Sequence, residues 1–374
     1  MTAGPVRIFV SAGEPSGDLH GAGVVAALRR RYPDAEIDAF GGPAMAQAGA
    51  TVLFPMEEYS AMGFVEVIES LPAHLRLLRT LRTRFREHPY HLVLLIDYPG
   101  FHLRLAASAR ESGARVLYYI PPQLWAWRPG RARRLRGVVD RLAVILPFEE
   151  EAFRQLDLRA EFVGHPLVDH APGPGHRAEA RRALGIPTEA RVLAIFPGSR
   201  KLEVRNHWPR FRAAAFQLLE EGRCSRVLLA ATSAGDYPDP GPVTPHRDDP
   251  LTVLSAADAV LAKSGTTTLQ AALTDTPMVV AYRTHPWTYQ IARRLLRVQW
   301  ISLVNLIAGQ EVVPELAQHE VTGSRLAEEL RPLLDPGHPR TRAQREGLEL
   351  VRRRLGPPGA AGRVADIAAQ LIGK

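Results

Sequence analysis

Two acidic stretches near the start of the chain have the residue types for acid–base or hydroxyl chemistry. The first, Ser11 to Gly23, reads SAGEPSGDLHGAG and follows the apolar run Arg7–Val10. Glycine-rich turns between a strand and a helix usually cradle phosphate, because backbone N–H groups approach the anion there. Glu14 and Asp18 would repel one, and the stretch matches neither G-x-G-x-x-G nor the Walker A pattern. It suits the hydroxyl or amine groups of a sugar, or the supply of a base. The second acid, Asp97, closes the apolar run Leu92–Ile96 and precedes Tyr98-Pro99-Gly100-Phe101-His102. A carboxylate at the carboxyl end of a buried strand is a candidate general base for a hydroxyl. The plain alternative is a carboxylate capping the next turn.

Two stretches of the second half suit an anion. Pro197-Gly198-Ser199-Arg200 follows Val192–Phe196, and would offer a diphosphate backbone N–H groups and a guanidinium fork. Lys263-Ser264-Gly265-Thr266-Thr267-Thr268 follows Ala259–Ala262 and opens the helical segment Leu269–Leu273, turning hydroxyls and N–H groups toward whatever sits there. Ordinary helix capping is the other reading of Ser264 and Thr266. Two such loops in one half, one with an arginine, point to a nucleotide diphosphate and make this half the donor side. In Pro121-Pro122-Gln123-Leu124-Trp125-Ala126-Trp127-Arg128 the tryptophans either stack on a sugar face or fill a core. The 13 histidines form no ligand-spaced cluster, so neither metal nor cofactor is expected. No G-x-S-x-G elbow supports a serine hydrolase.

Repeated βα units must position these loops. Strands are expected at Arg7–Val10, Glu36–Phe40, Leu92–Ile96, Val116–Ile120, Arg141–Ile145 and Glu161–Val163, with helices at Ala22–Arg31, Leu75–Glu87, Arg104–Ser112 and Glu149–Leu156. His170-Ala171-Pro172-Gly173-Pro174-Gly175-His176 reads as a linker, after which βα units resume at Val192–Phe196, Arg226–Ala231, Ala259–Ala262 and Pro277–Tyr282. The fold class is therefore α/β, with two Rossmann-like doubly wound domains and a ligand cleft between them. The expected boundaries are an acceptor-side domain at 1–170, a donor domain at 177–335 and an Arg-rich helical tail at 336–374. The tail should pack back on the first domain or on a second copy of the chain, which leaves a homodimer open.

The totals set outer bounds. At 374 residues, 46% hydrophobic and 23% charged, the chain has material for two cores. One cysteine, Cys224, gives no disulfide framework and suits a reducing cytoplasm. The start lacks a signal-peptide pattern, and no apolar run approaches the ~20 residues of a membrane span. A net charge of +8 favours an anionic partner, whether nucleic acid, a phosphorylated substrate or an anionic membrane. The basic residues are dispersed and accompany no recognised nucleic-acid module, which argues against nucleic acid. The stripe from Met62 through Leu71 and Leu75 to Arg82, apolar beside arginines, suits an interfacial helix or one packed on its own core.

The ordered set of motifs resembles the bacterial lipid-A-disaccharide synthase family, inverting glycosyltransferases of the two-Rossmann-domain GT-B type. The matching stretches include SAGEPSGDLHGAG (11–23), GGPAMAQAG (41–49), MGFVEVI (62–68), IDYPGFHLRLA (96–106), YYIPPQLWAWR (118–128), FVGHPLVD (162–169), FPGSRKLEV (196–204), KSGTTTLQAAL (263–273) and SLVNLIAGQEVVPEL (302–316). The resemblance implies transfer of 2,3-diacylglucosamine from its UDP derivative to 2,3-diacylglucosamine 1-phosphate, giving a β-1,6 disaccharide and UDP. It implies Asp97 as base, Arg200 as the cation for departing UDP, and Glu14 beside them in the catalytic set. Gly13, Ser16, Met62, Gln123, Trp127 and Asn305 fall on the substrate side. Gly198, Ser199, Ser264, Gly265, Thr266, Thr267 and Gln270 join Arg200 around UDP. Gln270 stands where the family has Glu, and His102 where it has Asn. Acylated substrates tip the Met62 segment toward an anionic membrane, so the resemblance implies a cytoplasmic protein peripheral on the inner membrane face. The alternatives are a GT-B transferase for another nucleotide sugar or lipid acceptor, and a non-catalytic homologue binding sugar nucleotide or membrane.

Overall fold

The computed structural model describes residues 4–373 except 60–63, 125–131, 133, 234, 248, 288 and 291–298, and only the backbone of 64–71. The chain divides into two compact units, residues 1–169 with 357–374, and residues 170–356. The tail is thus shared out. Helix Pro339–Arg354 belongs to the second unit and helix Ala360–Ile372 to the first, in place of one tail segment.

The first unit holds seven strands: β1 (Arg7–Ala12), β2 (Glu36–Gly41), β3 (Thr51–Pro55), β4 (Leu92–Ile96), β5 (Arg115–Tyr119), β6 (Arg141–Val144) and β7 (Ala160–Phe162). All pairs are parallel and the order is β3-β2-β1-β4-β5-β6-β7. The order reverses between β1 and β4, the switch point beside which doubly wound sheets bind ligands. Strand side chains alternate between two cores. Ile8, Val10, Leu92, Leu94 and Ile96 pack with Val24, Val25 and Leu28 of helix α1 (Pro15–Arg31), and with Val364, Ile367 and Leu371 of the last helix. Phe9, Val93 and Leu95 pack on the opposite face, against Leu77, Leu81 and Phe85 of a helix at Phe64–Glu87 and Leu105 of one at Pro99–Glu111. A short helix, α2 (Pro43–Gln47), follows β2, which makes the other two α3 and α4.

Helix α1 starts at Pro15, seven residues before the expected Ala22. Proline at the first helical position has no N–H to leave unpaired and its fixed φ suits a helix start. The glycines of SAGEPSGDLHGAG therefore lie mostly inside the helix. At Gly21 a Cβ would come within 2.6 Å of the Met45 sulfur, so glycine lets α1 approach α2.

The second unit has six parallel strands in the order β10-β9-β8-β11-β12-β13. They are β8 (Val192–Phe196), β9 (Arg226–Ala230), β10 (Val243–His246), β11 (Ala259–Lys263), β12 (Met278–Tyr282) and β13 (Glu315–Ala317). With α5 (Glu149–Arg154) in the first unit, its helices are α6 (Arg177–Ala183), α7 (Lys201–Glu220), α8 (Pro250–Ala256), α9 (Thr266–Leu273), α10 (Leu303–Ala308), α11 (Gly323–Leu330) and α12 (Pro339–Arg354); α13 is Ala360–Ile372. The switch point lies between β8 and β11. Trp208 and Phe211 of α7 and Leu326 and Leu330 of α11 close one face on Leu193, Ile195 and Leu229. Among the described residues no helix is long and apolar enough to cross a membrane.

Candidate functional site

In the first unit the two acidic loops leave adjacent strands, with Ala12 of β1 in register with Ile96 of β4. Gly13 is buried against the Tyr98 ring, where a Cβ would lie 2.5 Å from ring carbons. Glu14 occupies the N-cap position of α1 in an extended conformation, makes no cap bond with its side chain, and is exposed. Ser16 is exposed in the first turn of α1 and Gln123 is exposed after β5. Met62 and Trp127 lie outside the described residues.

Asp97 and Tyr98 adopt successive left-handed conformations, φ 50° and 49°. Each costs of order 1 kcal/mol for a non-glycine residue and persists only where its surroundings fix it. Here they do. The Asp97 N–H donates to Tyr119 O at 3.0 Å. The Asp97 carbonyl accepts from the Tyr118 hydroxyl at 2.8 Å and from His102 Nδ1 at 2.7 Å. On the neighbouring strand end, Ile120 also has a positive φ, 56°. A β-branched residue there is an outlier, so strain gathers at the carboxyl ends of β4 and β5. The Asp97 carboxyl is half-buried. Burial, and then the charge of Glu14, push its pKa up, against a hydrogen bond from the Tyr98 backbone. A half-buried carboxylate beside a second acid, on a fixed backbone, has the attributes of a general base.

Asp18 faces elsewhere. Its buried carboxylate accepts from the N–H groups of Gly42, Ala44 and Met45 at 2.8, 2.9 and 3.2 Å, capping α2. It fixes the GGPAM turn rather than a ligand.

In the second unit a cavity of about 640 Å³ opens where β8, β9, β10 and β11 end. Gly198, Ser199, Arg200, Lys263, Gly265, Thr266, Thr267 and Gln270 line it. Ser264 borders it, and its hydroxyl donates to Ile301 O at 3.1 Å instead of capping α9. The expected backbone cradle at Ser199 and Arg200 is already taken. Glu203 Oε2 accepts from the Ser199 N–H at 3.1 Å and the Arg200 N–H at 3.4 Å, closing the start of α7 on itself. Burial raises the Glu203 pKa, but Lys263 and these N–H groups outweigh it and hold the carboxyl below its usual range. The Arg200 side chain is 85% exposed and 4.0 Å from Glu203 at its closest. Its guanidinium thus stays available to an anion. The start of α9 also stays open, because its N-cap is Gly265, which has no side chain to cap it.

Asn305 is not a surface contact. It is wholly buried, its Nδ2 donating to Val313 O and Glu315 Oε1 at 2.9 and 2.8 Å, and its Oδ1 accepting from Val312 and Val313 N–H at 2.8 and 3.0 Å. Glu315 in turn accepts from the N–H groups of Ile301 and Ser302. Asn305 therefore reaches Ser264 only through this frame. Glu203 and Glu315 are not among the candidate residues read from the sequence, and Lys263 enters only as the first residue of its stretch; a carboxylate three residues into a helix is a readable capping signal for Glu203 alone.

Known proteins are similar to this chain over nearly its whole length. A family model described as lipid-A-disaccharide synthetase matches residues 8–355. The lipid-A-disaccharide synthases of Geobacter sulfurreducens and Myxococcus xanthus are each 40% identical over 377 residues, covering 98% of both chains. Among solved structures, a UDP-glucosyltransferase from Polygonum tinctorium is similar with a TM-score of 0.61 at 15% identity, covering 100% of both chains. UDP-GlcNAc 2-epimerase from Neisseria meningitidis, solved with UDP-GlcNAc, has a TM-score of 0.59 at 11% identity, covering 98% of this chain and 99% of that one. Likeness at such identity shows the fold alone, two Rossmann-like domains of the GT-B type. That fold hosts transfer and epimerisation alike, so the reaction must be read from family and site.

Proposed function

This chain belongs to the lipid-A-disaccharide synthase family, and on that premise we propose which of its residues carry the transfer. The enzyme is a glycosyltransferase that moves 2,3-diacylglucosamine from its UDP derivative to 2,3-diacylglucosamine 1-phosphate, yielding the β-1,6 disaccharide and UDP. The observation that carries this reading is 40% identity over 98% of both chains with named synthases.

Inversion needs one base and a stabilised leaving group, without a protein nucleophile. Asp97 accepts the proton of the acceptor 6-hydroxyl as that oxygen attacks the anomeric carbon of the donor. The bond from that carbon to the diphosphate breaks, and its electron pair leaves on UDP. Glu14, beside Asp97, keeps the carboxyl basic enough to take a proton, while Gly13, Ser16 and Gln123 border the acceptor. Arg200 and the open N-terminus of α9, with Thr266 and Thr267, meet the charge developing on the diphosphate. Gly198 and Ser199 shape that wall, Ser264 accepts through its oxygen, and Gln270 offers its amide to the ribose.

Acylated substrates support a position at the inner face of the cytoplasmic membrane. From Pro72 onward α3 spends Leu77, Leu81 and Phe85 on the core, leaving Leu75 exposed beside Arg76, Arg79 and Arg82. That edge suits an anionic surface. Retention on anionic vesicles at low salt and release at high salt would support it; equal binding to neutral vesicles would argue against it.

The function is tested by UDP release with the two diacylated substrates. Release that requires both substrates, with a disaccharide product, is expected. A chain that binds UDP and releases none from this pair is not this transferase.

A further inference from the structure

Lys263 lines the donor cavity. Its Nζ lies 2.9 Å from Glu203 Oε1, and it sits over the start of α9, 3.7 Å from where a Cβ on Gly265 would be. Both partners are largely shielded, with Lys263 20% and Glu203 19% exposed. Glu203 uses its other oxygen on the Ser199 and Arg200 N–H groups, so its position is fixed from two sides. A lysine head carries three donors, and this carboxylate can take one. The rest face a cavity that also holds the Arg200 guanidinium and the uncapped amides of α9.

A nucleotide diphosphate brings two phosphates, and the charge on the outer one rises as the sugar leaves. Arg247 lines the cavity beside Arg200, but both arginines are exposed and neither makes a close ion pair among the described residues. We propose that Lys263 is a second phosphate-binding cation of this site, with Glu203 the positioning residue that holds its ammonium over the start of α9. The proposal rests on the reading of this cavity as the sugar-nucleotide site. A free lysine would lose rotamer entropy on capturing phosphate; Glu203 fixes the side chain before the ligand arrives. Because Glu203 also occupies the first amides of α7, it directs the diphosphate toward α9.

The competing account is that Lys263 only neutralises Glu203. Calorimetric titration of UDP and uridine into the wild-type chain, Lys263→Met, Glu203→Gln and the double variant separates the two. Glutamine at 203 keeps an acceptor for the α7 amides and removes the charge. Loss of Lys263 should weaken UDP binding by about tenfold to a hundredfold beside Glu203 and by a smaller but measurable factor in the Glu203→Gln background, where the lysine is no longer held in place, and leave uridine affinity within about twofold. Lys263→Arg, which keeps the charge, should recover most of it and guards against misfolding of the methionine variant. A loss seen only while Glu203 is charged, or no loss at all, overturns the proposal. A wild-type chain that binds uridine no better than buffer, and UDP not at all, overturns the cavity reading beneath it.

Discussion

His102 Nδ1 donates to the carbonyl oxygen of Asp97 at 2.7 Å, and its Nε2 accepts from Ser11 Oγ at 2.8 Å. A carbonyl can only accept, so Nδ1 carries the proton and the tautomer is fixed. Burial lowers the imidazole pKa to about 4, leaving the ring neutral near pH 7. The ring ties the strained turn of β4 to β1, and so sets where the Asp97 carboxyl stands.

His102→Leu removes both bonds at similar volume. The expected outcome is a fall in kcat of about tenfold to a hundredfold through misplacement of the base, with UDP affinity unchanged. His102→Asn, the residue the family resemblance puts there, should recover part of kcat. Steady-state kinetics with UDP titration checks this; a change in KM for donor with kcat intact would contradict it.

Glu14 and Asp97 make the pH dependence of transfer testable. Burial and the Glu14 charge both favour the protonated form of Asp97. A base works ionised, so the acid limb of kcat/KM should lie above the ordinary carboxylate range. Glu14→Gln removes a negative neighbour, eases ionisation of Asp97, and should move that limb to lower pH. An unmoved limb would mean that Glu14 does not act on Asp97 through its charge.

Arg200→Ala should separate binding from stability. The side chain is 85% exposed and its one ion pair among the described residues is a loose 4.0 Å contact, worth little in water. Melting temperature should hold within about 2 °C, while UDP affinity drops by about tenfold or more with loss of a charge-assisted phosphate contact. A large fall in melting temperature would contradict the free-guanidinium reading.

Much of this architecture was legible in the residues, because buried parallel strands are near-continuous apolar runs. Leu92–Ile96 and Val192–Phe196 stand out in the sequence and end at Asp97 and Pro197, the positions that matter. Of the four edge strands only Ala160–Phe162 stands out, expected at Glu161–Val163. Thr51–Pro55, the proline-containing Val243–His246 and the three-residue Glu315–Ala317 are too short to show a period. The glycines of residues 11–23 read as a loop for sugar hydroxyls, since nothing local shows that Met45 of another helix lies against Gly21. Site residues that act through long-range partners were hidden for the same reason. Glu203 meets Lys263 sixty positions away, and Asn305 looks like a surface amide until the loop at 312–315 wraps it.

Acid should weaken the fold through three buried histidines. His102, His165 and His207 each have a pKa lowered to about 4, chiefly by burial. The unfolded chain, with histidines near 6.5, takes up protons first as pH falls. Stability is therefore full above about 6.5 and drops toward 4, by at most about 1.4 kcal/mol per pH unit from each histidine. Urea unfolding at pH 7 and pH 5 should show the difference, and His207→Gln should flatten it. Equal stability at the two pH values would show these rings to be charged or solvated in the fold.

Asn305→Ala distinguishes a substrate contact from a frame. The amide makes four hydrogen bonds inside the protein and has no exposed surface. Its removal leaves the Val312 and Val313 N–H groups and the Val313 carbonyl without this partner, and takes from Glu315 Oε1 one of its two donors, the Ser302 N–H remaining. Each buried orphan costs about 1–3 kcal/mol, partly relieved by water entering the gap. A destabilisation of about 2–4 kcal/mol is expected by urea unfolding. Activity should fall as well, because Glu315 holds the Ile301 and Ser302 N–H groups, and Ile301 O receives the Ser264 hydroxyl. The two losses should go together, with Asn305→Asp no milder than Asn305→Ala, because its second oxygen sets an acceptor against Val313 O and Glu315 Oε1. A variant of wild-type stability that has lost only its affinity for substrate would put the Asn305 amide in the site itself.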